Sequence, residues 1–194
     1  MNLNDFHNRD EESSEGTPQP TIVRSLDSLV ASELRFSTVY ADPPWRYSNA
    51  ACRGVSNRHH RTMTVQEICS EPVESLTTET AHLHLWTTNT FLREAFEVIE
   101  ALGFTFKSCL VWIKPHPGMG NDCHASHDFL LLGIRRSLPF HHRPRRGWIL
   151  KRRTAHSHKP HVIRKLIEQV NPGPYLELYG REETPQSQWT VYVR

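Results

Sequence analysis

The stretch Phe36-Ser37-Thr38-Val39-Tyr40-Ala41-Asp42-Pro43-Pro44-Trp45 decides the fold of this chain. Its first six residues form an apolar run with β-branched and aromatic side chains, which predicts a buried strand. The two prolines must end this strand, because proline has a fixed φ and no backbone N–H to donate. We therefore expect a carboxylate and two unpaired carbonyl groups, those of Asp42 and Pro43, at the edge of a sheet.

Acceptors in this position suit an amine that carries two hydrogens. The N6 amine of adenine is a poor nucleophile because its lone pair is delocalised into the ring. Two acceptors that hold its hydrogens favour the pyramidal nitrogen that can attack a methyl group, and Trp45 offers a face on which a base can stack. We therefore predict that Asp42, Pro43, Pro44 and Trp45 are catalytic residues.

Short β-type runs alternate with helical patterns along the rest of the chain. Such alternation predicts an α/β fold, with a mainly parallel sheet and helices on both faces. The predicted strands cover residues 36–41, 81–87, 105–113, 127–134 and 174–179, and the predicted helices cover about 64–70, 90–102 and 160–170. The helix from Thr90 has the clearest apolar stripe, and Gly103 is a natural stop for it.

Composition separates an N-terminal arm from one folded domain. Residues 1–20 hold five acidic residues and a single arginine, with Ser, Gly and Pro, which predicts a disordered acidic arm. Residues 21–194 have the length of one domain, and the chain's hydrophobic content of 37% is adequate for one core.

Cysteine and histidine usage predicts neither disulfides nor a metal site. The four cysteines, at positions 52, 69, 109 and 123, have no CxxC spacing, and no apolar N-terminal segment or membrane span of about 18 apolar residues is present. We therefore expect free thiols, no membrane contact and a cytoplasmic location. The tightest histidine group, Cys123-His124 with His127, lacks the two paired ligand sets of structural zinc.

Further motifs follow Asp42-Pro43-Pro44-Trp45 in a fixed order. They are Arg61-Thr62-Met63-Thr64, Leu83-His84-Leu85-Trp86, Val111-Trp112-Ile113-Lys114-Pro115, His127-Asp128-Phe129-Leu130-Leu131-Leu132-Gly133, Ser157-His158-Lys159-Pro160 and Leu176-Glu177-Leu178-Tyr179-Gly180-Arg181. From about Ile22 to about Trp189, the chain thereby resembles the MT-A70-like N6-adenine methyltransferases, which use S-adenosylmethionine.

The resemblance implies a Rossmann-like methyltransferase sheet with a permuted motif order, in which the amine-binding motif precedes the cofactor strand. It implies that Asp42 and the Pro43 carbonyl hold the adenine amine during methyl transfer from S-adenosylmethionine. The implied cofactor pocket contains Asp42, Lys159 and Arg181. Lys159 would bind the methionine carboxylate, and Arg181 would bind the ribose hydroxyls. Glu177 lies inside an apolar strand, so either the cofactor or a nearby cation must satisfy it. Lys114 lines the cleft or is exposed at a loop entrance.

A basic segment predicts contact with nucleic acid. Residues 135–153 contain eight Lys or Arg residues, no acid, and an interleaved tryptophan, Trp148. Basic residues with an aromatic are suited to a phosphate-contacting loop, while a solvated loop is the alternative. The predicted nucleic-acid contacts are Arg143, Arg145, Arg146, Arg152 and Arg153.

Three questions stay open at the level of the sequence. We expect DNA rather than RNA as the substrate polymer, but both use the same motif and chemistry. A catalytically silent nucleic-acid-binding subunit of the same fold is a second alternative, because residues 121–126 depart from the family pattern. An oligomer or a partner subunit is compatible with all of these readings.

Overall fold

The computed structural model describes residues 21–47, 62–115, 126–142, 146–152, 159–180 and 188–194. The strands are β1 Thr21–Val23, β2 Phe36–Ala41, β3 Thr77–Thr87, β4 Thr105–Ile113, β5 His127–Arg135, β6 Trp148–Leu150, β7 Tyr175–Leu178 and β8 Trp189–Tyr192. The helices are α1 Leu26–Ala31, α2 Val65–Cys69, α3 Val73–Leu76, α4 Leu92–Ala101 and α5 Val162–Val170, with a 3-10 turn at Asn89–Phe91.

All eight strands belong to one sheet, in the order β1-β8-β7-β2-β3-β5-β4-β6. Only β5 runs antiparallel to its neighbours β3 and β4, and the other five strand pairs of the described residues are parallel. The predicted mainly parallel sheet is thereby confirmed. The carboxyl ends of the parallel strands and the beginning of β5 meet at one border of the sheet, which we call the carboxyl edge.

The central strand β2 is covered on both sides, as its apolar run predicts. Val39 and Ala41 point into a core formed with α1 to α4, whereas Tyr40 points into a second core formed with α5. The helix α5 contributes Ile163 and Ile167, which are at most 1% exposed. The predicted placement of helices on both faces is confirmed. We call the two sides of the sheet the α1–α4 face and the α5 face.

The helix predicted from Thr90 divides into the 3-10 turn and α4. The predicted stripe is buried as expected, with each of its members at most 9% exposed; these are Phe91, Ala95, Val98, Ile99 and Leu102. Gly103 follows the helix with a φ of 82°, a left-handed conformation that glycine adopts without steric cost.

The sequence prediction misses the shortest elements and one strand extension. β2 and β4 have the predicted bounds, but β3 begins four residues earlier than predicted, because Thr77 pairs with Phe36. The strands β1, β6 and β8 and the helices α1 and α3, each of three to six residues, were not predicted. Such short segments carry little periodicity of their own and depend on pairing and packing.

Two buried histidines of β3 meet α5 at its end. The side-chain Oδ1 of Asn171 lies 2.8 Å from Nδ1 of His82 and 3.2 Å from Nε2 of His84, while its Nδ2 donates to the carbonyl of Ile167. Because Oδ1 of Asn171 can only accept, each of the two rings must donate an N–H to it. A neutral histidine ring has one such N–H, so both histidines can be neutral. Burial lowers the pKa of His84 to about 4 and lowers the pKa of His82 as well.

No helix of the described residues has the length and apolar character that a membrane crossing requires.

Acidification should destabilise the fold through His84. Its pKa is about 4 in the folded protein and about 6.5 when unfolded, so the unfolded chain binds more protons between these values. The free energy of unfolding should therefore fall by up to about 3 kcal/mol as the pH decreases from about 6.5 to 4. Urea denaturation across this range measures the effect.

The variant His84→Gln should show a shallower pH dependence than the wild type, and His142→Gln, which changes an exposed histidine, should not. An unchanged pH dependence in His84→Gln would show that other groups control acid stability.

Candidate active site

The motif Asp42-Pro43-Pro44-Trp45 turns the chain away from the sheet at the carboxyl edge. The N–H of Trp45 donates to the carbonyl of Pro43 at 2.9 Å, and the N–H of Met63 donates to the carbonyl of Pro44 at 2.7 Å. The Pro43 carbonyl is therefore not unpaired, contrary to the sequence expectation. Because a carbonyl oxygen has two lone pairs, it can still accept a second hydrogen bond.

Asp42 belongs to a chain of four alternating charges on the α5 face. The ammonium of Lys159 lies 3.0 Å from Oδ1 of Asp42 and 3.9 Å from Oδ2 of Asp128. The ammonium of Lys114 lies 2.6 Å from Oδ1 of Asp128. These residues come from the ends of β2 and β4, the start of β5 and the segment before α5. We call this set the charge chain.

Indole rings enclose the charge chain on the sheet side. The ammonium of Lys159 lies 5.2 Å from the ring centroid of Trp86, and that of Lys114 lies 4.7 Å from the ring centroid of Trp112. The two rings contact each other edge to face, and Nε1 of Trp86 donates to the hydroxyl of Tyr40 at 2.8 Å. The cations are thus held against the negative faces of aromatic rings.

Exposure increases along the charge chain from one end to the other. The side chains of Lys114 and Asp128 are 5% and 9% exposed, that of Lys159 is 17% exposed, and that of Asp42 is 29% exposed. The buried pair can thus fix the position of Lys159, and Asp42 is the end that a ligand can reach. The site presents an accessible carboxylate beside a cation.

The neighbouring strand β7 ends in a tight turn beside Asp42. Because Ala41 pairs with Leu178, Asp42 and Tyr179 leave the sheet side by side. Tyr179 has a φ of 62°, which is uncommon for a bulky residue, and burial raises the pKa of its hydroxyl. A Cβ at Gly180 would clash with the side chain of Val191, so only glycine fits there.

The partner of the buried Glu177 carboxylate in the structure is a cation. The guanidinium of Arg164, on α5, donates to its carboxylate, and this guanidinium also lies over the ring of Trp189 at 5.9 Å. Of the two partners that the sequence left open, the structure provides the cation. The buried carboxylate of Glu177 therefore does not need the cofactor contact that the sequence suggested.

The structure also corrects the expectation for Trp45. Its ring is 6% exposed, stacks on Phe91 with a centroid separation of 5.1 Å, and donates from Nε1 to the carbonyl of Trp86 at 3.2 Å. Trp45 packs in the core of the α1–α4 face, because the turn after Pro44 directs it inward. The face expected to stack on a base is occupied by Phe91.

Only some of the remaining predicted site residues lie within the described part of the chain. Arg146 and Arg152 are exposed on either side of β6. The predicted contacts Arg143, Arg145, Arg153 and Arg181 lie outside the described residues, as do Cys123 and His124. Among the residues that the structure does describe, no three His, Cys, Asp or Glu side chains lie close enough together to hold a metal ion.

Sequence reasoning assigned no role to Asp128 and left Lys114 undecided. Lys114 directly follows one apolar run and Asp128 directly precedes another, which is a usable signal, because a buried charge requires an opposite charge nearby. The two runs become β4 and β5, which pair so that Trp112 faces Asp128. Their antiparallel pairing brings the end of β4 to the beginning of β5, and Lys114 thereby reaches Asp128.

The mainly parallel sheet with helices on both faces, and a candidate site at its carboxyl edge, place the protein in the class of Rossmann-like α/β folds. The MT-A70 family model matches residues 36–192, and the chain therefore belongs to the MT-A70 family. The type II methyltransferase M.MunI of Mycoplasma sp. is 24% identical to it in an alignment of length 185 that covers 83% of this chain and 79% of that protein. The expected family and fold class are confirmed, and methyl transfer is the class of reaction.

The buried pair of the charge chain should contribute strongly to stability. Asp128→Leu leaves the Lys114 ammonium buried without its nearest carboxylate, which should cost about 3–5 kcal/mol in the free energy of unfolding. The double variant Lys114→Met/Asp128→Leu replaces the pair by apolar groups and should recover most of this loss. Urea denaturation measures both changes.

The exposed pair of Arg136 and Glu79, whose side chains are 67% and 82% exposed, provides the matched control. Glu79→Ala should change the free energy of unfolding by less than about 1 kcal/mol. A loss in Asp128→Leu no larger than in Glu79→Ala would show that the Lys114 ammonium reaches water.

Proposed function

We propose that this protein transfers a methyl group from S-adenosylmethionine to the N6 amine of adenine in nucleic acid, with DNA as the polymer. The observation that carries the proposal is the Asp42 carboxylate. It stands at the carboxyl edge, 29% exposed, with the ammonium of Lys159 3.0 Å away. Its position directly after the central strand is where ligands bind in open α/β sheets.

The charges of this pair fit the amino-acid end of S-adenosylmethionine. A methionine group carries one ammonium and one carboxylate, and Asp42 and Lys159 present the two opposite charges side by side. Lys159 would hold the carboxylate, as the sequence predicts, and Asp42 would face the ammonium. When bound, the cofactor supplies a methyl group on a positively charged sulfur.

Asp42 is also the residue that we assign to the substrate amine. One of its oxygens lies against Lys159, and the other would accept a hydrogen of the adenine amine, together with the carbonyl of Pro43. No strong base is needed before transfer, because the amine becomes acidic only after it is methylated. Orientation of the amine and a preorganised negative charge therefore provide the main acceleration.

Two features support nucleic acid as the substrate and DNA as the polymer. Arg146 and Arg152 flank β6 with exposed guanidinium groups that can neutralise phosphates, as we also expect of Arg143, Arg145 and Arg153. The similarity to a type II methyltransferase favours DNA over RNA. These two observations support the choice of polymer, whereas the argument for methyl transfer to adenine rests on Asp42.

The direct test is mass spectrometry of DNA and RNA from cells that express the protein. The wild type should produce N6-methyladenine in DNA. Asp42→Asn keeps the size of the side chain but removes its charge, so it should lower N6-methyladenine by about 10²-fold or more. Asp27→Asn, which changes an exposed carboxylate of α1, is the matched control and should behave as wild type.

Each other outcome contradicts one part of the proposal. N6-methyladenine in RNA alone would replace DNA by RNA as the polymer. Near-normal methylation in Asp42→Asn would remove Asp42 from the chemistry, and the absence of any methylated base in wild-type cells would favour a catalytically silent subunit.

Cofactor binding tests Lys159 separately from the chemistry. Lys159→Met removes the ammonium that we assign to the methionine carboxylate, and the loss of a hydrogen bond between charged groups should weaken S-adenosylmethionine binding by about 10- to 100-fold. Isothermal titration calorimetry measures this affinity. Lys165→Met, an exposed position on α5, is the control. Equal affinities for the two variants would place the cofactor elsewhere.

A further inference from the structure

One tryptophan of this protein differs from the other four in its surroundings. Four of the five are buried, with at most 6% of their surface exposed; these are Trp45, Trp86, Trp112 and Trp189. Trp148, on β6, is 46% exposed. A large aromatic ring left half open to solvent does not gain the burial that stabilises the others, and one face of it is available to a ligand.

Trp148 is part of a small apolar patch at the end of the sheet. On β6, Trp148 and Leu150 point to the α1–α4 face, while Ile149 between them packs on the core of the α5 face. Leu150 pairs with Ile113 of β4, and these two residues are 55% and 37% exposed. We call Trp148, Leu150 and Ile113 the edge patch.

The surroundings of the edge patch are cationic. The guanidinium of Arg146 lies 5.5 Å from the centroid of the Trp148 ring, and Lys151 and Arg152 follow β6 with exposed side chains. Between Asp128 and Glu168 the sequence has no carboxylate but has 11 of the 23 Lys and Arg residues. In the described part of the chain, the half-exposed ring of Trp148 therefore lies near three cations, Arg146, Lys151 and Arg152, which together attract a polyanion.

Leu150 and Ile113, at the carboxyl end of the edge patch, lie at the same border of the sheet as Asp42, and Trp148 lies two residues before that border. β6 runs parallel to β4, so the chain leaves both strands at the carboxyl edge. Four strand-to-strand steps separate β2 from β6 in the sheet order. At about 4.8 Å for each step, the separation is about 19 Å. Asp42 lies on the α5 face and the ring of Trp148 on the α1–α4 face, so a polymer with one base at Asp42 would cross the carboxyl edge to bring a flanking nucleotide onto Trp148.

We propose that Trp148 is a stacking platform for an unpaired base that flanks the target adenine. This inference rests on the proposed function and adds that the bound polymer is single-stranded at β6. A base inside a duplex already stacks on both sides, so only an unpaired base can use the ring of Trp148. Arg146 adds a cation beside the stack, and Lys151 and Arg152 neutralise the adjoining phosphates.

A second copy of this chain is the competing occupant of the edge patch. An exposed edge strand with apolar side chains can pair with another edge strand. However, two copies related by such a contact would bring Arg146, Lys151 and Arg152 of one chain against the same cations of the other. This repulsion disfavours self-association and favours a polyanion.

The test compares binding of a labelled oligonucleotide, single-stranded or annealed to its complement, by fluorescence anisotropy. Trp148→Ala should weaken binding of the single strand by about 5- to 150-fold, the effect of one lost stack, and should change duplex binding less than twofold. Trp148→Phe should retain most of the affinity. The salt dependence should be the same in these variants, because no charge is removed.

Leu150→Ala is the matched control, because it removes a more exposed apolar side chain of the same patch without removing a ring. It should leave single-strand binding near that of the wild type. Trp148→Leu keeps an apolar side chain, should fold as the wild type does, and should lose affinity as Trp148→Ala does. Equal effects of Leu150→Ala and Trp148→Ala, or full affinity in Trp148→Leu, would overturn the stacking platform.

Sedimentation velocity distinguishes the competing occupant. A wild-type dimer that becomes a monomer in Trp148→Ala would overturn the proposal in favour of a second copy. Because this binding test does not use methylation, its outcome is independent of the reaction. If Trp148→Ala selectively loses single-strand binding but cells that express the wild type contain no N6-methyladenine, the proposed function alone is contradicted. If those cells contain N6-methyladenine but Trp148→Ala binds the single strand as the wild type does, this inference alone is contradicted.

Discussion

The contact between Lys159 and Asp42 is the interaction on which the site depends. It joins the end of the central strand to the segment that leads into α5, and it holds two opposite charges 3.0 Å apart at the carboxyl edge. Asp128 and Lys114 continue the alternation of charge into the protein, where both are buried. Each charge of this buried pair holds the other in place, because separating them would leave an unpaired charge in the interior at a high cost in free energy. The accessible end of the charge chain is thereby presented in one orientation.

The direction of β5 makes this arrangement possible. If β5 ran parallel to its neighbours, its first residues would lie at the opposite border of the sheet, and Asp128 would be far from Lys114. The antiparallel strand instead places Asp128 beside the end of β4. The parallel strands β2 and β7 provide the other half of the edge, where Asp42 and the turn at Gly180 lie side by side. The mixed sheet is thus a requirement of the site.

The two faces of the sheet have different roles. On the α5 face, polar groups lie within a core of aromatic rings, and each is held by a specific partner, as Glu177 is by Arg164 and Trp86 by Tyr40. On the α1–α4 face, the core is apolar near β2 and β3, and Trp45 packs into it. Towards β6 the same face becomes exposed and cationic. The proposed chemistry therefore belongs to one face, and the proposed contact with the polymer belongs to the border where the other face opens.

The sequence by itself determined the α/β class, the bounds of β2 and β4, the stripe of α4 and the family, and it predicted Asp42 and Lys159 as site residues. These conclusions follow from local patterns: apolar runs, helical periodicity, prolines that end a strand, and motifs in a fixed order. Only the tertiary structure decided that Trp45 is a core residue, that Arg164 neutralises Glu177, and that Lys114 and Asp128 extend the site. The physical reason is that burial and ion pairing depend on which strands become neighbours, and those neighbours, such as β2 with β7 and β4 with β6, are far apart in the chain.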